Sequence, residues 1–138
     1  MPRVIIDTNV IISALIQKSF PFLIIDELFL NDLIEVCVSE EVIAEYFAVL
    51  HRKKFLKYPE FVLQAEAFLI AIEIKSLKFR PQNQISIMND VDDNKFLELC
   101  KECNADYLIT GNSNDFTMKE FGNTKIVNPR EFWEIYNR

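Results

Sequence analysis

The chain has 138 residues, 50% of them hydrophobic and 26% charged, and a formal net charge of −6. This balance is that of a soluble globular protein, and no apolar run approaches the roughly 18–20 residues needed to span a bilayer. The acidic excess argues against a broad phosphate-binding surface, which needs Lys and Arg, although acids gathered around bound cations weaken that argument.

Arg3-Val4-Ile5-Ile6 is a short apolar run ending at Asp7, as in a buried parallel strand. A helix is predicted over 9–17, with Val10, Ile11, Ala14 and Leu15 on one face, and a second over 22–30, with Pro21 near its start. Residues 33–38 read as a strand. Ser39 then caps a third helix through Leu50, with Glu40 and Glu41 in its first turn. Pro59 opens a fourth helix, where Phe61, Ala65, Phe68, Leu69 and Ile72 recur at helical spacing. A weaker strand is expected over 74–77, followed by a polar loop over 83–89. Asp92 or Asp93 is expected to cap a helix carrying Phe96, Leu97, Cys100 and Cys103. Residues 106–110 and 125–127 are the remaining strands, and Pro129 begins a terminal helix over 130–136. Strands alternating with helices predict an α/β fold with a parallel sheet covered on both faces. The length suits one domain, residues 1–138.

Three cysteines, Cys37, Cys100 and Cys103, are too few and too odd in number for a disulfide framework. Cys100 and Cys103 form a C-x-x-C pair late in a predicted helix, away from the helix N-terminus that would lower a thiol pKa, so packing is their expected role. With no apolar leader after Met1-Pro2-Arg3, the expectation is a cytoplasmic protein without membrane attachment. Only Gly111 and Gly122 occur, so no Gly-rich phosphate loop is present and dinucleotide binding is disfavoured.

In parallel sheets, ligands bind at the carboxyl ends of the strands. Asp7 stands directly after the first strand, Asp90, Asp92 and Asp93 just before a helix, and residues 110–115 after a late strand. Glu45 lies mid-helix, on one face with Val42 and Val49, and joins the others only if that helix follows the same rim. Each acid also has an ordinary reading. An Asp before a helix is usually a cap contributing about 1 kcal/mol, Asp7-Thr8-Asn9 suits a polar turn, and a helical Glu is usually solvated. Together, acids on one rim repel each other and take up either protons or cations. Hard oxygen donors suit Mg²⁺ or Mn²⁺, which can activate water in phosphodiester cleavage.

These segments resemble a known family. Ile6-Asp7-Thr8-Asn9 is similar to the opening motif of PIN-domain nucleases. The run Ser39-Glu40-Glu41-Val42-Ile43-Ala44-Glu45-Tyr46 resembles the next block of its VapC-like branch, the toxin components of toxin–antitoxin systems. Asp90-Val91-Asp92-Asp93-Asn94-Lys95-Phe96-Leu97-Glu98 is the most specific match. Residues 105–112 and 126–132 continue the family's order to the end of the chain. The resemblance implies a three-layer α/β/α PIN-like domain with a central parallel sheet. It also implies an endoribonuclease dependent on Mg²⁺ or Mn²⁺ and inhibited by a small antitoxin. Carried over by motif, Asp7, Glu45 and Asp93 match family acids, Asp90 an additional acid, and Thr8, Asn9 and Thr110 the polar residues that orient them. The family's usual fourth acid falls at Asn112, which is neutral. Asp115 is the next acid and could supply the fourth carboxylate, or Asn112 could serve as a neutral oxygen ligand.

For RNA, the candidate contacts are Arg52, Lys53 and Lys54, which also suit a solvated helix end, and Lys95, which could instead simply neutralise nearby acids. The apolar segment 19–30 suits an antitoxin groove or a homodimer face. The alternative to an enzyme is a degenerate, non-catalytic PIN module that binds RNA or a protein, motivated by Asn112. An aspartyl-nucleophile phosphatase would need a carboxylate where Asn9 stands.

Overall fold

The first strand, β1 (Arg3–Ile6), carries Val4, Ile5 and Ile6 with no exposure at all, because both of its faces are covered. In the computed structural model, which describes residues 1–88, 90–111, 116 and 118–138, β1 lies at the centre of a six-stranded sheet. The other strands are β2 (Glu35–Ser39), β3 (Leu77–Phe79), β4 (Tyr107–Ile109), β5 (Glu120–Phe121) and β6 (Thr124–Val127), in the order β3-β2-β1-β4-β6-β5. Every neighbouring pair is parallel except β5–β6. The parallel sheet expected from the sequence therefore carries one antiparallel edge strand, joined to β6 by a tight turn in which Gly122 takes φ +59.

Helices cover both faces and form the outer layers of an α/β/α sandwich. They are α1 (Thr8–Ile16), α2 (Phe20–Leu23), α3 (Glu40–Leu50), α4 (Lys53–Leu56), α5 (Pro59–Lys75), α6 (Asn94–Cys103) and α7 (Pro129–Tyr136). Their starts follow local chemistry. The Ser39 hydroxyl accepts from the Val42 N–H, as expected from the sequence, and Asn128 and Glu131 form a reciprocal capping box at α7. Among the described residues, no single helix is long and apolar enough to cross a membrane. The three thiols are buried and free.

Three expectations are corrected. The second helix is a short α2 continued by a π-helical turn, Ile24–Phe29, which buries Ile24, Ile25, Leu28 and Phe29. The strand expected over 74–77 lies at Leu77–Phe79, because α5 runs on to Lys75 with Phe68, Leu69 and Ile72 buried along one side. A 3₁₀ turn, Val91–Asp93, precedes α6, so the capping hydrogen bond is made by Asp90, whose Oδ1 accepts from the Asp92 N–H at 3.0 Å. Neither Asp92 nor Asp93 makes the side-chain cap expected of it; Asp93 holds the N-cap position of α6 without a capping bond.

Candidate active site

Strand order reverses at β1: β2 and β3 lie to one side, β4 and β6 to the other. In open parallel sheets such a switch point leaves a crevice at the strands' carboxyl ends. Asp7 and Thr110 stand at that point, one residue beyond β1 and β4. The backbone fixes the pair, since Ile6 is in register with Ile109 and the Asp7 N–H donates to the Ile109 carbonyl at 2.9 Å. The Thr110 hydroxyl then donates to Asp7 Oδ2 at 2.7 Å. Asp7 occupies the N-cap position of α1 without a side-chain capping bond, and its Oδ2 is held by Thr110.

Glu45 reaches this rim from α3. The Thr8 hydroxyl, in the first residue of α1, donates to Glu45 Oε2. Lys95, in the first turn of α6, donates to Glu45 Oε1 at 2.9 Å, and both side chains of that ion pair are about four-fifths covered. Tyr46, the next residue along α3, is fully buried and its hydroxyl donates to the Ile6 carbonyl, tying α3 to the end of β1 beside Asp7. Tyr46 was not among the sequence candidates. Its signal is local: a tyrosine inside an apolar helix face needs a buried acceptor for its hydroxyl.

Electrostatics join Asp7 to Glu45. Burial pushes the Asp7 carboxyl above its ordinary pKa of 3.8, and the Glu45 charge pushes the same way, while the Thr110 hydroxyl and the N–H groups of Thr8 and Asn9 oppose them. Tyr46 is pushed up too, first by burial and then by Asp7 and Glu45. Two carboxylates held this way suit Mg²⁺, which keeps several waters and is commonly bound through one or two carboxylates. Asp7 and Glu45 are the residues that could hold such an ion. Among the described residues, no three Asp, Glu, His or Cys side chains converge to enclose one.

The remaining candidates are distributed more widely. Asp90 is exposed and engaged in its turn, and Asp92 is exposed. Asp93 is half-buried, with its Oδ2 atom enclosed. Asn9 is exposed at the start of α1. Asn112 and Asp115 lie outside the described residues. Arg52 is the N-cap of α4, where Lys53 and Lys54 are exposed. Arg52 lies beyond the end of α3, seven residues after Glu45. Of the four basic candidates, Lys95 is the one the described residues place in contact with a site acid.

The loop before α6 is held without regular secondary structure. Asn94, Glu98 and Glu102, four residues apart on one side of α6, accept backbone N–H groups of Met88 (3.0 Å), Ile85 (3.0 Å) and Gln82 (2.9 Å). This ladder carries the chain down α6 to Asp90 and Asp93. Away from the rim, a groove of about 690 Å³ opens between α1 and α5, lined by Leu15, Ile16, Phe22, Leu30, Leu63 and Ala67 among others. Ile16 and Leu63 are largely exposed there.

Comparison with known proteins is consistent with this geometry. A family model described as "PIN domain" matches residues 3–114. An uncharacterized protein of Methanocaldococcus jannaschii is 28% identical over 145 residues, an alignment covering 99% of this chain and 92% of that protein. Among solved structures, VapBC2 from Rickettsia felis, crystallised bound to a DNA fragment from its promoter, superposes with a TM-score of 0.57. That match covers 91% of this chain and 98% of the other, at 17% identity, and speaks to the fold.

Proposed function

The chain belongs to the PIN-domain family, and from that premise we propose that it is a Mg²⁺- or Mn²⁺-dependent endoribonuclease, the toxin of a toxin–antitoxin pair. The observation that carries this reading is the buried Asp7, held by Thr110 at the switch point with Glu45 beside it. RNA as substrate and a small antitoxin as inhibitor rest on the VapC-like resemblance of the motifs.

In this reading Asp7 and Glu45 hold the cation, with Asp93, Asp90 and Asp115 as the further acids of the motif. When bound, the ion supplies an activated water and charge stabilisation at the leaving oxygen of a phosphodiester. Thr110 and Thr8 fix the direction of the two carboxylates, a constraint whose loss typically costs 10–100-fold in metal affinity or activity. Tyr46 holds the end of β1 against α3, which sets the spacing between Asp7 and Glu45.

The test is cleavage of a labelled RNA by the wild-type chain and by Asp7→Asn, with Mn²⁺ and with excess EDTA. EDTA and Asp7→Asn are each expected to remove most of the cleavage. Cleavage undiminished by either would refute the assignment.

A second reading, a PIN module that binds a protein partner without cleaving RNA, is favoured by the groove between α1 and α5, where the apolar Ile16 and Leu63 stand exposed. A small antitoxin or a second copy of the chain would suit it. Mn²⁺ binding without any RNA cleavage would favour this reading over the enzyme.

A further inference from the structure

Glu45 has both carboxylate oxygens engaged: Oε2 accepts from the Thr8 hydroxyl and Oε1 from the Lys95 ammonium. The ion pair joins α3 to α6 across 50 residues of sequence and is mostly covered, with 18% and 20% side-chain exposure. It is therefore not one of the loose surface pairs that contribute little. The neighbouring Asp7 carboxylate repels Glu45, so the ammonium stands where a cation is most needed. A divalent ion drawn to the same two carboxylates meets a positive charge already seated on Glu45, and like charges at that range oppose each other strongly in a partly buried site.

We propose that Lys95 is an internal counter-ion: it holds Glu45 in place while the site lacks metal, and a divalent cation binds by displacing it. Lys95 thereby lowers the site's affinity for the ion and keeps the carboxylates aligned before the ion arrives. The displaced ammonium stays on the first turn of α6, at the rim, where it is free to meet an anionic ligand. This inference rests on the reading of Asp7 and Glu45 as cation ligands and assigns Lys95 a positioning role.

The experiment is a Mn²⁺ titration by calorimetry on the full chain, comparing wild type, Lys95→Met, Lys95→Arg and Asp7→Asn. Removing a neighbouring positive charge is worth on the order of tenfold or more to a cation. Lys95→Met should therefore bind Mn²⁺ about tenfold more tightly, Lys95→Arg should stay close to wild type, and Asp7→Asn should bind much more weakly. Unchanged or weaker binding by Lys95→Met, with Asp7→Asn still impaired, overturns the counter-ion role and leaves the metal site standing. Absence of Mn²⁺ binding by wild type and Lys95→Met alike overturns both the role and the reading beneath it. Should Lys95→Met fail to fold, Lys95→Gln replaces it, retaining length and polarity without charge.

Discussion

Burial and the Glu45 charge make the folded chain hold the Asp7 proton more tightly than an unfolded chain would. Below the ordinary value of 3.8, Asp7 is protonated in both states and the folded chain bears no cost. As pH rises the unfolded chain loses the proton first, so this contribution to stability declines and is lost once pH passes the folded pKa. Asp7→Asn removes the titration while keeping an oxygen for the Thr110 hydroxyl. Urea midpoints at pH 7 should therefore be higher for Asp7→Asn than for wild type, with the gap closing toward pH 3.5; an equal or lower midpoint at pH 7 would contradict the sign. The residue most needed for the proposed chemistry is thus one the fold would be more stable without. At this scale the sequence was informative about Asp7, because a carboxylate straight after an apolar strand is a local pattern. The Thr8–Glu45–Lys95 arrangement was not readable as contacts, since residues 37 and 50 positions from Glu45 meet it only through the packing of α1 and α6 on α3.

Between residue and fold lies the ladder of Asn94, Glu98 and Glu102 along α6. Asn94 is buried and occupies the first position of that helix, yet its side chain faces back to the Met88 N–H. Asn94→Ala removes one hydrogen bond, which contributes about 1 kcal/mol. Hydrogen exchange at Met88 should then accelerate by about fivefold, while amides in β1 and β4 keep their protection; unchanged exchange at Met88 would show that the ladder does not restrain the loop. The same stretch shows what could not be foreseen from sequence. Residues 83–89 were legible as a polar loop, but its path depends on three acceptors spaced along a helix that follows it. Likewise, residues 74–77 look strand-like in isolation, whereas the buried side of α5 carries the helix on to Lys75. The strand β5 has two residues and no apolar alternation to announce it. The long, periodic segments were recovered because burial on one face fixes their spacing: α3 with its Ser39 cap, and α6.

For the whole molecule, a net charge of −6 and a rim carrying Asp7 and Glu45 leave a cation deficit that divalent ions can fill. An ion that binds only the folded state stabilises it by mass action, about 2.7 kcal/mol at 100 times its dissociation constant. Mn²⁺ at that excess should raise the melting temperature of wild type and leave that of Asp7→Asn nearly unmoved; equal shifts in both would point to binding elsewhere. The α/β/α architecture was foreseeable from the alternation of strands and helices, and the carboxyl-end position of Asp7 and Thr110 from their places after strands, whereas the strand order that puts a switch point at β1 was not.

The sheet's two borders set a further limit on how this molecule associates. β3 has three residues with Lys78 exposed at its middle, and β5 has two, beginning with the exposed Glu120. Borders so short and charged offer little template for an incoming strand. Self-association by strand addition, the common route to fibrous aggregates, is therefore disfavoured at both ends of the sheet. Binding through side-chain surfaces, such as those lining the groove between α1 and α5, is what the architecture leaves available.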